Sequence, residues 1–265
     1  MVDDLMLSFN SLGRLGRLGN QMFQYAALLC IAKRRGYEFC IPPLKTKDEY
    51  GGYQLPVFNL PSLKVIGWQT KSKVVRPSTF AYDAQLADQC ENNVDLFGYF
   101  QTERYFSDQA ELVRKEFAFP EPAKSNCSEL LRRVGGTAIS LHVRRTDYLT
   151  NIAKFPPCDL EYYQRALAVL PLNLPIIILS DDILWCKQQP LFKGPRWFFS
   201  ECKSNIADMC LMSMCSHHII ANSSFSWWGA WLGTNRDKKV VAPIKWFGDG
   251  YGDTRDLIPA DWTKI

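Results

Sequence analysis

The sequence predicts an α/β protein built on parallel sheets, in two halves. Three observations predict it. In the second half, short apolar runs alternate with segments of helical spacing. In the first half, an apolar run at 5–9 leads through a glycine-rich loop into a strongly apolar helical stretch. Between the halves, residues 120–128 are rich in proline and polar side chains, which places a linker or domain boundary there. Domains at 1–124 and 125–265 follow, with a ligand cleft expected between them.

The second half reads element by element. Residues 137–143 form an apolar run after Gly135-Gly136, a buried strand. Residues 159–170 carry apolar side chains at Leu160, Tyr163, Leu167 and Leu170, with Asp159 as the N-cap of a helix. Residues 176–179 follow Pro175 as a second buried strand, and 181–189 form a short helix or turn. A strand at 196–199, a helix from Ser204 to about 216, a strand at 217–221, a helix at 224–232 and a strand at 239–242 complete the alternation. In the first half, a helix at 21–34 ends in basic residues before Gly36. A strand at 37–41 is stopped by Pro42-Pro43. Residues 45–79 read as loop with short elements, 97–100 as a strand end and 107–117 as helix.

Composition narrows the function. The chain has 265 residues, 47% apolar and 22% charged, ordinary values for a globular protein with a real core. A net charge of +4 without a basic stripe argues against nucleic acid and suits a small anionic ligand. The nine cysteines have neither CxxC pairs nor regular spacing, which indicates a reducing compartment and no zinc signature. Neither a signal peptide nor an apolar stretch of about 20 residues is visible. The expectation is a cytoplasmic protein, free or at a membrane surface.

Two segments carry chemistry. The first is Leu141-His142-Val143-Arg144-Arg145-Thr146-Asp147-Tyr148, at a strand end. Adjacent guanidinium groups there suit bidentate pairing with phosphate. An ion-paired strand end, Arg145 with Asp147, explains the segment equally well. The second is Ala221-Asn222-Ser223-Ser224-Phe225-Ser226-Trp227-Trp228-Gly229-Ala230-Trp231, running from a strand into a helix. Its serines and free backbone N–H groups make an anion site, whereas its tryptophans belong to a core. Asp181-Asp182 reads as the first turn of a helix capped by Ser180 rather than as a metal pair. The glycines at 13, 16 and 19 have the wrong spacing for a dinucleotide fingerprint, and no Walker lysine follows. What remains is Gly19-Asn20-Gln21 at a helix start, with Asn20 and Gln21 facing the cleft or merely closing a turn.

Three blocks then resemble a known family. Residues 142–147 are similar to the HxRRxD motif of the α1,2-, α1,6- and protein O-fucosyltransferase superfamily. With residues 16–25 and 222–232, the set resembles the bacterial-type α1,2-fucosyltransferases of glycosyltransferase family 11, although Arg17 replaces a usual glycine. The resemblance implies a GT-B-type fold, two Rossmann-like domains facing a central cleft. It implies inverting, metal-independent transfer of L-fucose from GDP-L-fucose to the 2-hydroxyl of a β-galactoside, with no cofactor. It places Arg144 on the β-phosphate, His142 near guanosine and Asp208 on guanine. The donor site then comprises His142, Arg144, Arg145, Asp208, Asn222, Ser223, Ser224, Phe225 and Gly19. Arg144, Asp147 as general base and Asn20 as a positioner of acceptor or phosphate form the catalytic set. Asp147 is also read as an orienter of Arg145, and the departing phosphate as an alternative proton acceptor. Acceptor choice falls to residues 45–105, where Tyr50, Tyr53, Trp68, Tyr82 and Tyr105 offer stacking faces or simply core. Transfer of another linkage, such as to peptide, and a non-catalytic nucleotide-sugar-binding protein are the competing readings.

Overall fold

The structure is a computed structural model describing residues 5–43, 52–69, 72–202 and 204–265; Tyr50 lies outside these residues. The chain divides into two compact units. One comprises Met1–Ala118 with Gly252–Pro259, the other Phe119–Tyr251 with Ala260–Ile265.

In the first unit, β1 (Met6–Ser8) leads through the glycine loop into α1 (Leu18–Arg35), then β2 (Glu38–Ile41), β3 (Val65–Ile66) and β4 (Lys73–Val75). The helix α2 (Ala84–Gln89), the strand β5 (Val94–Leu96) and the helix α3 (Ala110–Glu116) follow. The strands form one parallel sheet in the order β3-β2-β1-β5-β4. The helix α1 is buried on nearly every face, as its continuous apolar run requires. It begins three residues earlier than expected, because the Leu18 N–H donates to Gln54 Oε1 at 3.1 Å. It ends at Gly36, whose φ of 68° permits the left-handed cap, after Lys33, Arg34 and Arg35. The strand end expected at 97–100 is a turn instead. Gly98 and Phe100 have φ of 144° and 53°, and the strand stops at Leu96. The Phe100 ring turns into the core, 5.7 Å from Phe9 and 5.1 Å from Tyr105.

The second unit opens with α4 (Glu121–Arg133), where a linker was expected. Pro122 falls in the first turn, where a missing N–H costs nothing. Cys127 and Leu131 enter the core while Lys124, Glu129, Arg132 and Arg133 pair outside, so the polar composition is one face of an amphipathic helix. After it come β6 (Ile139–Val143), α5 (Thr146–Leu149), α6 (Leu160–Ala168) and β7 (Ile176–Ser180). Then follow α7 (Ile183–Gln188), β8 (Trp197–Phe199), α8 (Asn205–Met214) and β9 (His217–Ile219). The unit closes with α9 (Ser224–Leu232), β10 (Val240–Ala242) and β11 (Thr263–Lys264). Six parallel strands run in the order β11-β10-β9-β6-β7-β8. The pleat divides β7 between two cores: Ile176 and Ile178 face one, Ile177 and Leu179 the other. Each such side chain contributes about 1.5–3 kcal/mol by burial. The chain leaves β6 toward β7 and β9 toward β10, in opposite directions. The carboxyl ends of β6 and β9 therefore flank a topological switch point, where such sheets bind ligands.

Candidate functional site

Arg144 and Arg145 follow directly on β6, at one side of the switch point. The Arg144 guanidinium reaches Asp147 at 2.7 Å and Asp181 at 3.1 Å, and lies 5.6 Å from the Tyr148 ring centre. Burial pulls its pKa down, but Asp181 and Asp147 outweigh burial and hold it above the ordinary arginine value. Arg145 points elsewhere. It pairs with Asp182 at 3.2 Å and stacks 4.2 Å over the Trp185 indole. The structure thus corrects the expected pairing: Asp147 orients Arg144, not Arg145.

Asp181 and Asp182 hold this corner together. Asp181 accepts from the backbone N–H groups of Arg145 and Thr146 and from the Thr146 hydroxyl, at 2.9, 3.2 and 2.5 Å. Asp182, rather than Ser180, caps α7 by accepting from the Trp185 N–H at 3.1 Å, while Ser180 Oγ accepts from the Asp182 N–H. The motif reading missed this partnership. Its signal was complementary charge at the ends of adjacent strands, two arginines after β6 and two aspartates after β7.

The other side of the switch point is the start of α9. Ser223 is its N-cap and makes no side-chain capping bond, so the first N–H groups of the helix are not closed off by their own cap. Trp227, Trp228 and Trp231 are buried, as the core reading expected. Two contacts join the sequence blocks. Tyr148 donates its hydroxyl to the Asn222 carbonyl at 2.8 Å, and the His142 ring lies 5.6 Å from Phe225. His142 is buried and its Nδ1 has no partner. Burial, then Arg144, lowers its pKa to about 3, so the imidazole is neutral. The Asn222 side chain is occupied within the fold. It donates to the carbonyls of Pro156 and Trp246, both at 2.9 Å, and accepts from Cys158. The Asn222 side chain therefore ties the 156–158 segment and the Trp246 loop together rather than offering its amide to a ligand.

Asp208 stands in the first turn of α8, after β8. It accepts from the Ser200 hydroxyl at 2.6 Å. Burial raises its pKa to about 6, against the hydrogen bonds from Ser200 and Cys202.

In the first unit, Gly19 lies buried within α1, and Asn20 is partly exposed one residue on. Gln21 does not face outward. It is buried, donates to the carbonyls of Gly16 and Gly52, and accepts from the Gln54 N–H, so it clamps the loop. Of the aromatic candidates, Tyr105 is core, Tyr82 is sandwiched by Arg104 and Tyr105, and Trp68 is exposed beside Arg14. Among the described residues, no helix is long and apolar enough to cross a membrane, and no three His, Cys, Asp or Glu side chains are grouped to hold a metal.

Two units with parallel sheets, one carrying a pair of arginines at its switch point, define a GT-B-like fold. Solved fucosyltransferases share the fold. A NodZ alpha-1,6-fucosyltransferase soaked with GDP-fucose superposes with a TM-score of 0.53 over 87% of this chain and 93% of that one, at 14% identity. POFUT1 in complex with GDP gives 0.54 over 89% and 98%, at 9% identity. The chain belongs to glycosyl transferase family 11, which it matches over residues 5–265. Among its relatives, the O-antigen biosynthesis glycosyltransferase WbnK of Escherichia coli is 31% identical over 94% of this chain and 98% of the relative. An alpha-1,2-colitosyltransferase of Escherichia coli is 30% identical over 94% and 96%. The galactoside alpha-(1,2)-fucosyltransferase 2 of Bos taurus is 26% identical over 84% and 68%.

Proposed function

We propose that this protein transfers L-fucose from GDP-L-fucose to the 2-hydroxyl of a β-galactoside, with inversion and without a metal. One observation carries the reading: Arg144, fixed by Asp147 and Asp181 beside the start of α9. The acceptor oxygen attacks C1 of fucose, the bond from C1 to the β-phosphate oxygen breaks, and its electron pair leaves with GDP. The negative charge that develops on the phosphate is met by Arg144 and by the α9 N–H groups with the Ser223 and Ser224 hydroxyls. His142 and Phe225 border the nucleoside. Asp208, once ionised, accepts from the N1–H and N2–H of guanine. Asp181 and Asp182 are occupied by arginines, which supports charge neutralisation by guanidinium instead of a divalent ion. The acceptor proton passes to Asp147 or to the departing phosphate; the Arg144 partnership makes orienting its arginine the first task of Asp147. Arg145 braces the corner through Asp182 and Trp185. Asn20 positions a substrate oxygen. The described cysteines are all free thiols, in keeping with work in the reducing cytoplasm or at its membrane surface.

The colitosyltransferase relative favours one further reading, the same transfer with a colitosyl donor. The test supplies each nucleotide sugar with a panel of β-galactosides, measures GDP release with and without EDTA, and reads the linkage by NMR. An α1,2-linked fucoside, unaffected by EDTA, is the expected product. No transfer to any galactoside from either donor would refute both readings.

A further inference from the structure

The loop after β5 and the entry to α1 meet above the carboxyl ends of β1 and β5, which pair side by side. Gln101 Nε2 donates to Asn20 Oδ1 at 2.6 Å. Gln101 is 5% exposed, and its Oε1 is buried without a partner. Such an orphaned acceptor is a local cost to the fold that position alone does not explain. The backbone before it is strained as well, since Phe100 holds a φ of 53° without being glycine. The Phe100 ring is fixed by Phe9 and Tyr105, and its carbonyl accepts from the Thr102 N–H at 2.8 Å. These contacts hold Gln101 against Asn20.

The far end of the Asn20 amide meets Gly16. A Cβ on Gly16 would stand 2.0 Å from Asn20 Nδ2, so only glycine leaves room for it. Gly16 also holds a φ of 83°. The amide is therefore oriented from both ends, its oxygen toward Gln101 and its nitrogen over the missing side chain.

We propose that Gln101 is a positioning residue that turns the Asn20 amide so that its N–H groups meet an oxygen of the substrate. This rests on the transfer reading above. A Gln at 101 matters because its Nε2 is a donor: it selects the oxygen end of Asn20 and leaves the nitrogen end for the ligand. A glutamate would select the opposite end.

The test is a double-mutant cycle of Gln101→Leu and Gln101→Glu, each made with Asn20 intact and with Asn20→Ala. Transfer rates with separate KM values for donor and acceptor, GDP affinity by calorimetry and melting temperature are measured for each. With Asn20 intact, Gln101→Leu frees the amide to rotate and lowers kcat/KM about tenfold. Gln101→Glu draws the nitrogen inward and lowers it about 10²-fold, the loss of one aimed donor. GDP affinity stays within about twofold in both, because the nucleotide contacts of the proposed reaction, Arg144, the start of α9, His142, Phe225 and Asp208, lie on other elements. In the Asn20→Ala background neither substitution lowers the rate further. A higher acceptor KM assigns the oxygen to the acceptor, a higher donor KM to the nucleotide sugar, and either supports the inference. Equal losses in both backgrounds would mean that Gln101 serves the fold alone, and would overturn it. Should Gln101→Glu not fold, the cycle with Gln101→Leu decides in the same way. A wild-type protein inactive on every substrate removes the transfer reading together with this one, whereas an active wild type with additive losses removes this one alone.

Discussion

The two sheets share a plan but not a chemistry. At the strand ends of the second unit stand charged groups in matched sets, Arg144 with Asp147 and Asp181, and Arg145 with Asp182. Around the strand ends of the first unit the loops are held mainly by neutral amides, with Gln21 clamping the glycine loop, Gln24 of α1 holding the Leu15 carbonyl and Gln101 holding Asn20. The one carboxylate there, Asp95, is turned inward to accept from the Ser8 hydroxyl and the Asn10 N–H. In the proposed reaction the two ends serve different groups. A diphosphate needs fixed positive charge and helix N-termini, whereas a sugar hydroxyl needs donors and acceptors without charge.

That contrast can be broken most severely from below. Trp228→Ala removes a fully buried indole from the helix that carries Ser223 and Ser224, and is expected to cost about 3–5 kcal/mol, read by denaturant unfolding. Arg144→Ala comes next. It should lower kcat/KM by about 10²-fold or more, with Arg144→Lys intermediate because it keeps the charge but loses the fork. Activity of Arg144→Ala at the wild-type level would dissolve the distinction between the units.

A gentler test uses pH. The Asp208 carboxyl is held up to about 6, above its ordinary value, by burial. The protonated acid is the form that the fold favours, so its contribution to stability is present at low pH and is lost as pH rises through the ordinary value to about 6. The guanine recognition proposed for Asp208 needs the opposite form. GDP affinity should therefore rise toward pH 7 and fall up to about tenfold per unit below pH 6, and Asp208→Asn should flatten that step. His142, lowered to about 3, stays neutral across the same range and adds no step of its own. The smallest effect is Gly16→Ala in the amide-lined unit. Its positive φ and the crowding against Asn20 should cost about 1–2 kcal/mol, measured as a shift in melting temperature, with GDP affinity unchanged.

Legibility in the sequence followed burial and locality. The strand at Ile176 announced itself because both faces are covered, leaving an unbroken apolar run. The bounds of α9 were readable because a strand, a serine pair and an apolar helix follow one another without a gap. Strands β4 and β5 were not readable. Each has three residues, and Lys73 and Asp95 break any run. Helix α4 was hidden by its prolines and its charged outer face, which in a one-dimensional reading look like a linker. At the site, residue chemistry was legible and partnership was not. Adjacent arginines at a strand end pointed to an anion. That Asp181, just past the end of the neighbouring strand, would hold Arg144 depends on strand order, which the local pattern does not contain. Gln21 and Gln101 show the same limit, since the glutamine beside the motif turned inward and one far along the chain took its place next to Asn20.

The return of the chain near its end bears on how such enzymes can be recombined. Residues Gly252–Pro259 belong to the first unit, and Asp256 there pairs with Arg104 and accepts from the Tyr82 N–H. The last residues then go back to form β11 beside β10. The first unit is therefore not a contiguous cassette. A chimera that exchanges only residues 5–118 for those of a relative would set a foreign 82 and 104 against the resident Asp256, so a graft meant to change acceptor preference has to carry residues 252–259 with it.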